Sequence, residues 1–172
     1  MPLRKNSGLT LTELVMAVAI FSLIILGVQT FFSQGITQIR LIIAKIDIQR
    51  EARANLSLMN KELRQAVASS IVISRENANQ PPYSKIMFET IKGTTVYYYQ
   101  EGVKLYQDVY TDNSAIRRKF LAENLRFVHF VFPKSDDDSI LQVSACFEKI
   151  PYPYVTGIRA LQVSIEKVRI MN

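Results

Sequence analysis

The chain has 172 residues, a net charge of +6, one cysteine and one histidine. That length fits one domain plus an anchoring element, and the content of Phe, Ile and Val excludes a disordered chain. Cys146 stands alone, which excludes an intrachain disulfide and a cysteine-based metal site. No run of Lys or Arg is long enough to announce a nucleic-acid surface.

The N-terminus carries the most information. Residues 1–8 form a short leader with two cations, Arg4 and Lys5, and from Leu14 to Ile39 there is no charged side chain. About 20 apolar residues at 1.5 Å rise cross a hydrocarbon layer of about 30 Å, so a span over roughly 14–32 is predicted. Arg4 and Lys5 place the N-terminus on the cytoplasmic side and send the rest across. A secretory signal peptide also starts basic and turns apolar, but it needs a small-x-small site after its apolar core. Here that position offers only Ser33-x-Gly35, while the better cleavage candidate, Gly8, precedes the apolar run. An uncleaved signal anchor is the remaining alternative.

Glu13 is the one carboxylate at the mouth of that run. An ionisable group at the edge of hydrocarbon is costly unless paired or solvated, and marks a functional position. The bland reading places it at headgroup level in water. The functional reading gives it an amine: cutting between Gly8 and Leu9 creates an α-amino group able to pair with Glu13 of a neighbouring chain.

Gly8-Leu-Thr-Leu-Thr-Glu13 followed by an apolar helix resembles the class III signal of type IV pilins and type II secretion pseudopilins. The resemblance implies cleavage of the Gly8–Leu9 bond by a prepilin peptidase, N-methylation of Leu9, and an assembly salt bridge through Glu13. Leu9 departs from the Phe or Met common at the first mature position. The stretch Gln49 to Ala66, with Ala19-Ile20-Phe21, is similar to the minor pseudopilin lettered J.

Between Leu9 and Val67 there is no proline, and Gly27 and Gly35 are the only glycines. Beyond Gln38 apolar residues recur in steps of three and four (Ile39, Ile42, Ile43, Ile46, Ile48, Ala52, Leu56, Met59, Leu63, Ala66, Val67), which predicts one amphipathic stripe. The expectation is therefore a long helix over 9–67, roughly 55–60 residues or on the order of 85 Å. Neighbouring subunits should bury its first half and the protein's own sheet its second.

After Val67 the period changes. Ile71-Val-Ile is a short strand signal, and Pro81-Pro82 opens a loop. Lys92-Gly93 and Glu101-Gly102 read as hairpin turns, the second between Val96–Gln100 and Val103–Gln107. Residues 124–132, 140–147 and 158–170 read as longer strands. The predicted class is α+β: a long N-terminal helix on an antiparallel β-sheet, with an exposed domain over 68–172.

Other candidates have plainer explanations. His129, within Phe127 to Phe132, lacks the partners of a triad or zinc site. Tyr97-Tyr98-Tyr99 alternates faces on a strand. Arg117-Arg118-Lys119 reads as a solvated edge. Asp136-Asp137-Asp138 reads as a turn rather than a calcium loop, which needs six to eight spaced oxygen ligands. No metal or cofactor is expected.

The reading that follows is a minor pseudopilin that initiates or tips a type II secretion pseudopilus. It would be a single-pass protein of a bacterial inner membrane with a periplasmic domain, and not an enzyme. Its partners would be the prepilin peptidase, membrane lipid, and other minor and major pilins or pseudopilins, met through its helix and sheet edge. Two alternatives stay open: a minor pilin of a type IV or competence pilus, and an anchored enzyme or sensor domain, for which no catalytic constellation stands out.

Overall fold

The computed structural model describes residues 10–111, 114–134, 137–151 and 159–171, with residues 114–116 described by backbone alone. The fold is α+β: helix α1 (Leu11–Leu63), then a short 3-10 turn (Ala68–Ser70), then, among the described residues, eight strands. The strands are β1 (Val72–Ser74), β2 (Lys85–Glu89), β3 (Thr95–Glu101), β4 (Lys104–Thr111), β5 (Ser114–Ala122), β6 (Leu125–Val131), β7 (Ile140–Lys149) and β8 (Ala160–Arg169). Every pairing is antiparallel. The chain divides into two units at Arg40–Leu41, each described in turn.

In the first unit the side chains of α1 are exposed almost throughout, including Leu14, Phe21, Leu23, Ile25, Leu26, Phe31 and Phe32. Three of its hydroxyls bond back to the helix: Ser22, Thr30 and Thr37 donate to the carbonyls of Val18, Leu26 and Ser33 at 2.8, 2.9 and 3.0 Å. Such back-bonding lets polar side chains sit in hydrocarbon without an orphaned O–H.

In the second unit α1 buries a line of residues: Ala44, Ile48, Ala52, Leu56, Met59 and Leu63. The upper part of the expected stripe does not join it, since Ile42, Ile43 and Ile46 stay exposed. At about 100° per residue, Ile42 and Ile46 point well away from the line through Ala44 and Ile48. Helix α1 ends at Leu63, short of the expected Val67, because the backbone changes partner there. Ala66 forms a β-bridge with Thr90, and the Val67 N–H donates to the Glu89 carbonyl at 2.8 Å.

The strands divide between two sheets rather than one: β1-β2-β3-β4-β5 and β6-β7-β8. Their inward residues, among them Ile86, Phe88, Val96, Tyr98, Leu105, Val128, Phe130, Leu141, Val143 and Phe147, form one core with the buried line of α1. At roughly 25 cal/mol per Å² of apolar surface, that shared core is the main stabilising contribution in the unit. Gln100, 2% exposed, stitches the two sheets. Its side-chain amide donates to the Gly102 and Arg126 carbonyls, and its carbonyl accepts from the Val128 N–H at 3.1 Å.

The hairpin turns lie close to their expected places. Gly93 and Gly102 take φ of 75° and 60°, the left-handed region that glycine enters without strain. Because Glu101 pairs with Lys104, the second loop is Gly102-Val103, one residue later than expected. A glycine of positive φ at the first loop position is the type II′ pattern that suits a twisted hairpin. Strand β5 was not expected at all. Its three consecutive cations hide any alternation, and its pairing with β4 is broken by two register shifts.

Candidate functional site

The N-terminus of α1 is built by Thr10 and Glu13. Thr10 precedes the first helical residue, and its hydroxyl accepts from the Glu13 N–H at 3.3 Å. The Glu13 carboxylate reaches back and accepts from the Thr10 N–H and the Thr10 hydroxyl, both at 2.9 Å. This is a capping box: two N–H groups that a helix start leaves orphaned satisfy each other's residues. Thr10-Leu-Thr-Glu13 carries the Thr-x-x-Glu spacing of that motif, so Glu13 has a capping role that its position at the mouth of the apolar run does not by itself reveal.

Capping has a chemical consequence. The carboxylate lies exposed at the positive end of the helix dipole, which favours its ionised form. It remains available to a cation, because a carboxylate accepts several hydrogen bonds and two from Thr10 leave lone pairs free. Gly8 and Leu9 lie outside the described residues. From Leu11 onward α1 is long and apolar enough to cross a membrane, and its most apolar stretch is not buried within the protein.

The other candidates fall into ordinary structural roles. Tyr98 is fully buried, and its hydroxyl donates to the Glu62 carboxylate at 2.5 Å. Gln107 donates to the same oxygen at 2.7 Å and to the Tyr98 hydroxyl at 3.1 Å. Burial, then the bond to Glu62, pushes the Tyr98 phenol far above its usual range. Nothing in the sequence pointed to this triad, since its members lie on α1, β3 and β4. Tyr97 and Tyr99 face the opposite side of the sheet, where Lys85 lies over both rings and Arg118 lies over Tyr99 and Tyr106.

Arg117-Arg118-Lys119 does sit on a sheet edge, in β5, where Arg118 pairs with the buried Asp108 at 3.3 Å. Cys146 is buried, and burial raises its thiol pKa. His129 stacks beside Phe127 with ring centroids 5.1 Å apart, and its Nε2 is buried without a partner. Asp136 lies outside the described residues. Asp137 accepts from the Ser139 N–H and hydroxyl, which closes a local turn and lowers its pKa. Among the described residues no group of three His, Cys, Asp or Glu side chains comes together. A cleft at the end of α1, about 720 Å³, is lined by Ser57, Asn60, Lys61, Arg64, Gln65, Ile91, Glu166 and Met171.

Residues 3–28 match the model of the prokaryotic N-terminal methylation motif. That segment holds Gly8, Leu9, Glu13 and the first half of the apolar run, so the N-terminal part of the chain is pilin-like. No curated protein matches the chain.

Proposed function

We propose that this chain is a minor pseudopilin, a structural subunit that initiates or tips a type II secretion pseudopilus, and not an enzyme. The observation that carries the reading is the methylation-motif match over residues 3–28, running directly into a helix fit to cross a membrane. A prepilin peptidase cuts after Gly8, and the amine released at Leu9 becomes the methylated N-terminus. The basic leader keeps the cut site cytoplasmic, and the β domain lies on the other side of a bacterial inner membrane.

The capping geometry supports a two-step use of Glu13. In the free subunit Thr10 holds the carboxylate ionised at the helix start. In the filament the amine of a neighbouring subunit would add to the same carboxylate, where low dielectric makes an ion pair strong and an unpaired charge costly. The exposed apolar face of α1 would be covered by neighbouring helices. The buried face from Ala44 to Leu63 is held by the protein's own sheets.

The test is the N-terminus of the membrane-extracted protein, read by mass spectrometry with and without a co-expressed prepilin peptidase. The expected result is a new end at Leu9, heavier by one methyl group, only when the peptidase is present. Gly8→Ala should abolish it, whereas Glu13→Gln should leave cleavage intact and lose incorporation into filaments. A leader retained under both conditions would sink the reading. Cleavage together with DNA binding that weakens steeply as salt rises would instead place the chain in a DNA-uptake pilus.

A further inference from the structure

Strand β8 forms one edge of the β6-β7-β8 sheet and pairs, among the described residues, with β7 alone. Its pairing is unbroken from Ala160 to Arg169, with no bulge to twist the edge away. The Ile170 N–H donates to the Ser139 carbonyl at 2.8 Å, continuing the ladder. In an antiparallel ladder residues alternate in the direction of their backbone groups. The even-numbered residues of β8 therefore bond to β7, and Leu161, Val163, Ile165, Lys167 and Arg169 turn their N–H and C=O groups to the open edge. The Val163 carbonyl accepts from the neighbouring Gln162 side chain at 3.1 Å, a plug that can rotate away.

The same residues present their side chains on the outer face, and here the pattern is inverted. Leu161, Val163 and Ile165 are 46, 55 and 60% exposed, while the half-buried inner positions are Gln162, Ser164 and Glu166. An edge strand usually keeps apolar residues inside and blunts its rim with charge, proline or a bulge. This edge instead offers an apolar stripe in register with backbone groups that, among the described residues, no other strand pairs. Its charge is one-sided: Lys167 and Arg169 follow the stripe, Arg159 precedes it, and of these Arg159 is paired with Glu148. Two copies of β8 laid antiparallel would set Arg159 of one against Lys167 or Arg169 of the other, which disfavours self-pairing.

We propose that β8 is a strand-addition site for an extended segment of a partner protein, one that alternates apolar residues and carries carboxylates where it meets Lys167 and Arg169. The backbone ladder supplies affinity, the stripe of Leu161, Val163 and Ile165 sets the face, and the cations set direction. This assignment goes beyond the filament reading and does not depend on processing at Gly8.

The test uses the full chain in detergent and a fluorescent peptide alternating valine and threonine, with glutamates at one end. Anisotropy should show saturable binding, and hydrogen exchange should show protection confined to β8 and its neighbours. A peptide with lysines replacing the glutamates should bind at least about tenfold more weakly (about 1.4 kcal/mol), as should one N-methylated on alternate residues. Lys167→Glu combined with Arg169→Glu should reverse the preference between the charged peptides, and Val163→Lys should abolish binding of both. The changed side chains are exposed, so the fold should survive. Absence of binding, equal binding of the N-methylated peptide, or protection outside β8 would overturn the proposal. Concentration-dependent protection of β8 without peptide would assign the edge to a second copy, and overturn it too.

Discussion

The triad of Glu62, Tyr98 and Gln107 makes a sharp test of how α1 is fastened to the sheets. Tyr98 and Gln107 are 0% and 4% exposed, so water reaches them poorly from any side but that of the half-buried Glu62. Glu62→Ala removes the acceptor of both bonds but leaves the Gln107–Tyr98 bond at 3.1 Å in place. A hydrogen bond to a charged group contributes about 1.5–3 kcal/mol, and a buried donor left unsatisfied costs about 1–3 kcal/mol. The two donors partly satisfy each other, so the costs do not add fully, and the expected loss is about 3 kcal/mol. Glu62→Gln keeps an oxygen that can accept both bonds but loses the charge that strengthens them, for a loss of about 1 kcal/mol. Tyr98→Phe should cost about 1.5 kcal/mol, leaving Gln107 on the carboxylate. Urea unfolding of the full chain in detergent, followed by far-ultraviolet circular dichroism and tyrosine fluorescence, gives these values. The combined Glu62→Ala/Tyr98→Phe variant closes the cycle, with a coupling of about 1–2 kcal/mol. If Glu62→Ala lies within about 0.5 kcal/mol of the parent, the triad is a surface contact and the reasoning fails.

Three further outcomes follow from single residues. Gly102 has φ of 60° with open space where a Cβ would stand, so Gly102→Ala should cost about 1 kcal/mol of backbone strain with no clash, read as a lower urea midpoint. The Tyr98 phenol is held protonated in the fold, whereas an unfolded tyrosine ionises near pH 10. Its stabilisation is complete below about pH 10 and is lost as pH rises above it, so Tyr98→Phe should flatten the alkaline fall of the urea midpoint. Burial raises the Glu51 carboxyl above its usual value even though it accepts from the Glu123 N–H at 2.9 Å. The folded state therefore favours the protonated form, and stability from this group declines as pH rises through the carboxylate range. Glu51→Gln keeps an acceptor for Glu123 and should raise the midpoint at neutral pH relative to the parent, the gain vanishing in acid; an unchanged difference across pH would refute it.

The start of this chain was legible because its signals are local. A leader with two cations and an uncharged run each lie within one short stretch of sequence, and composition and periodicity read such stretches directly. The hairpins around Gly93 and Gly102 were legible for the same reason: only a few residue types accept positive φ, so the turn writes itself into sequence.

What the tertiary structure alone decided depends on residues far apart in the chain. Ile42 and Ile46 belong to the same apolar stripe as Ile48 on paper, yet helical geometry turns them outward, because only the line from Ala44 to Leu63 meets the sheets. Strand β5 is invisible in sequence because Arg118 is tolerated there by Asp108 and by the faces of Tyr99 and Tyr106, contacts that pairing with β4 creates. The joining of the two sheets draws on Gln100, whose partners lie across the seam. The open edge of β8 is a property of strand order, which no local pattern encodes. The chain's own chemistry fixed where it enters the membrane helix; which of its apolar faces remain uncovered was settled only when distant segments came together.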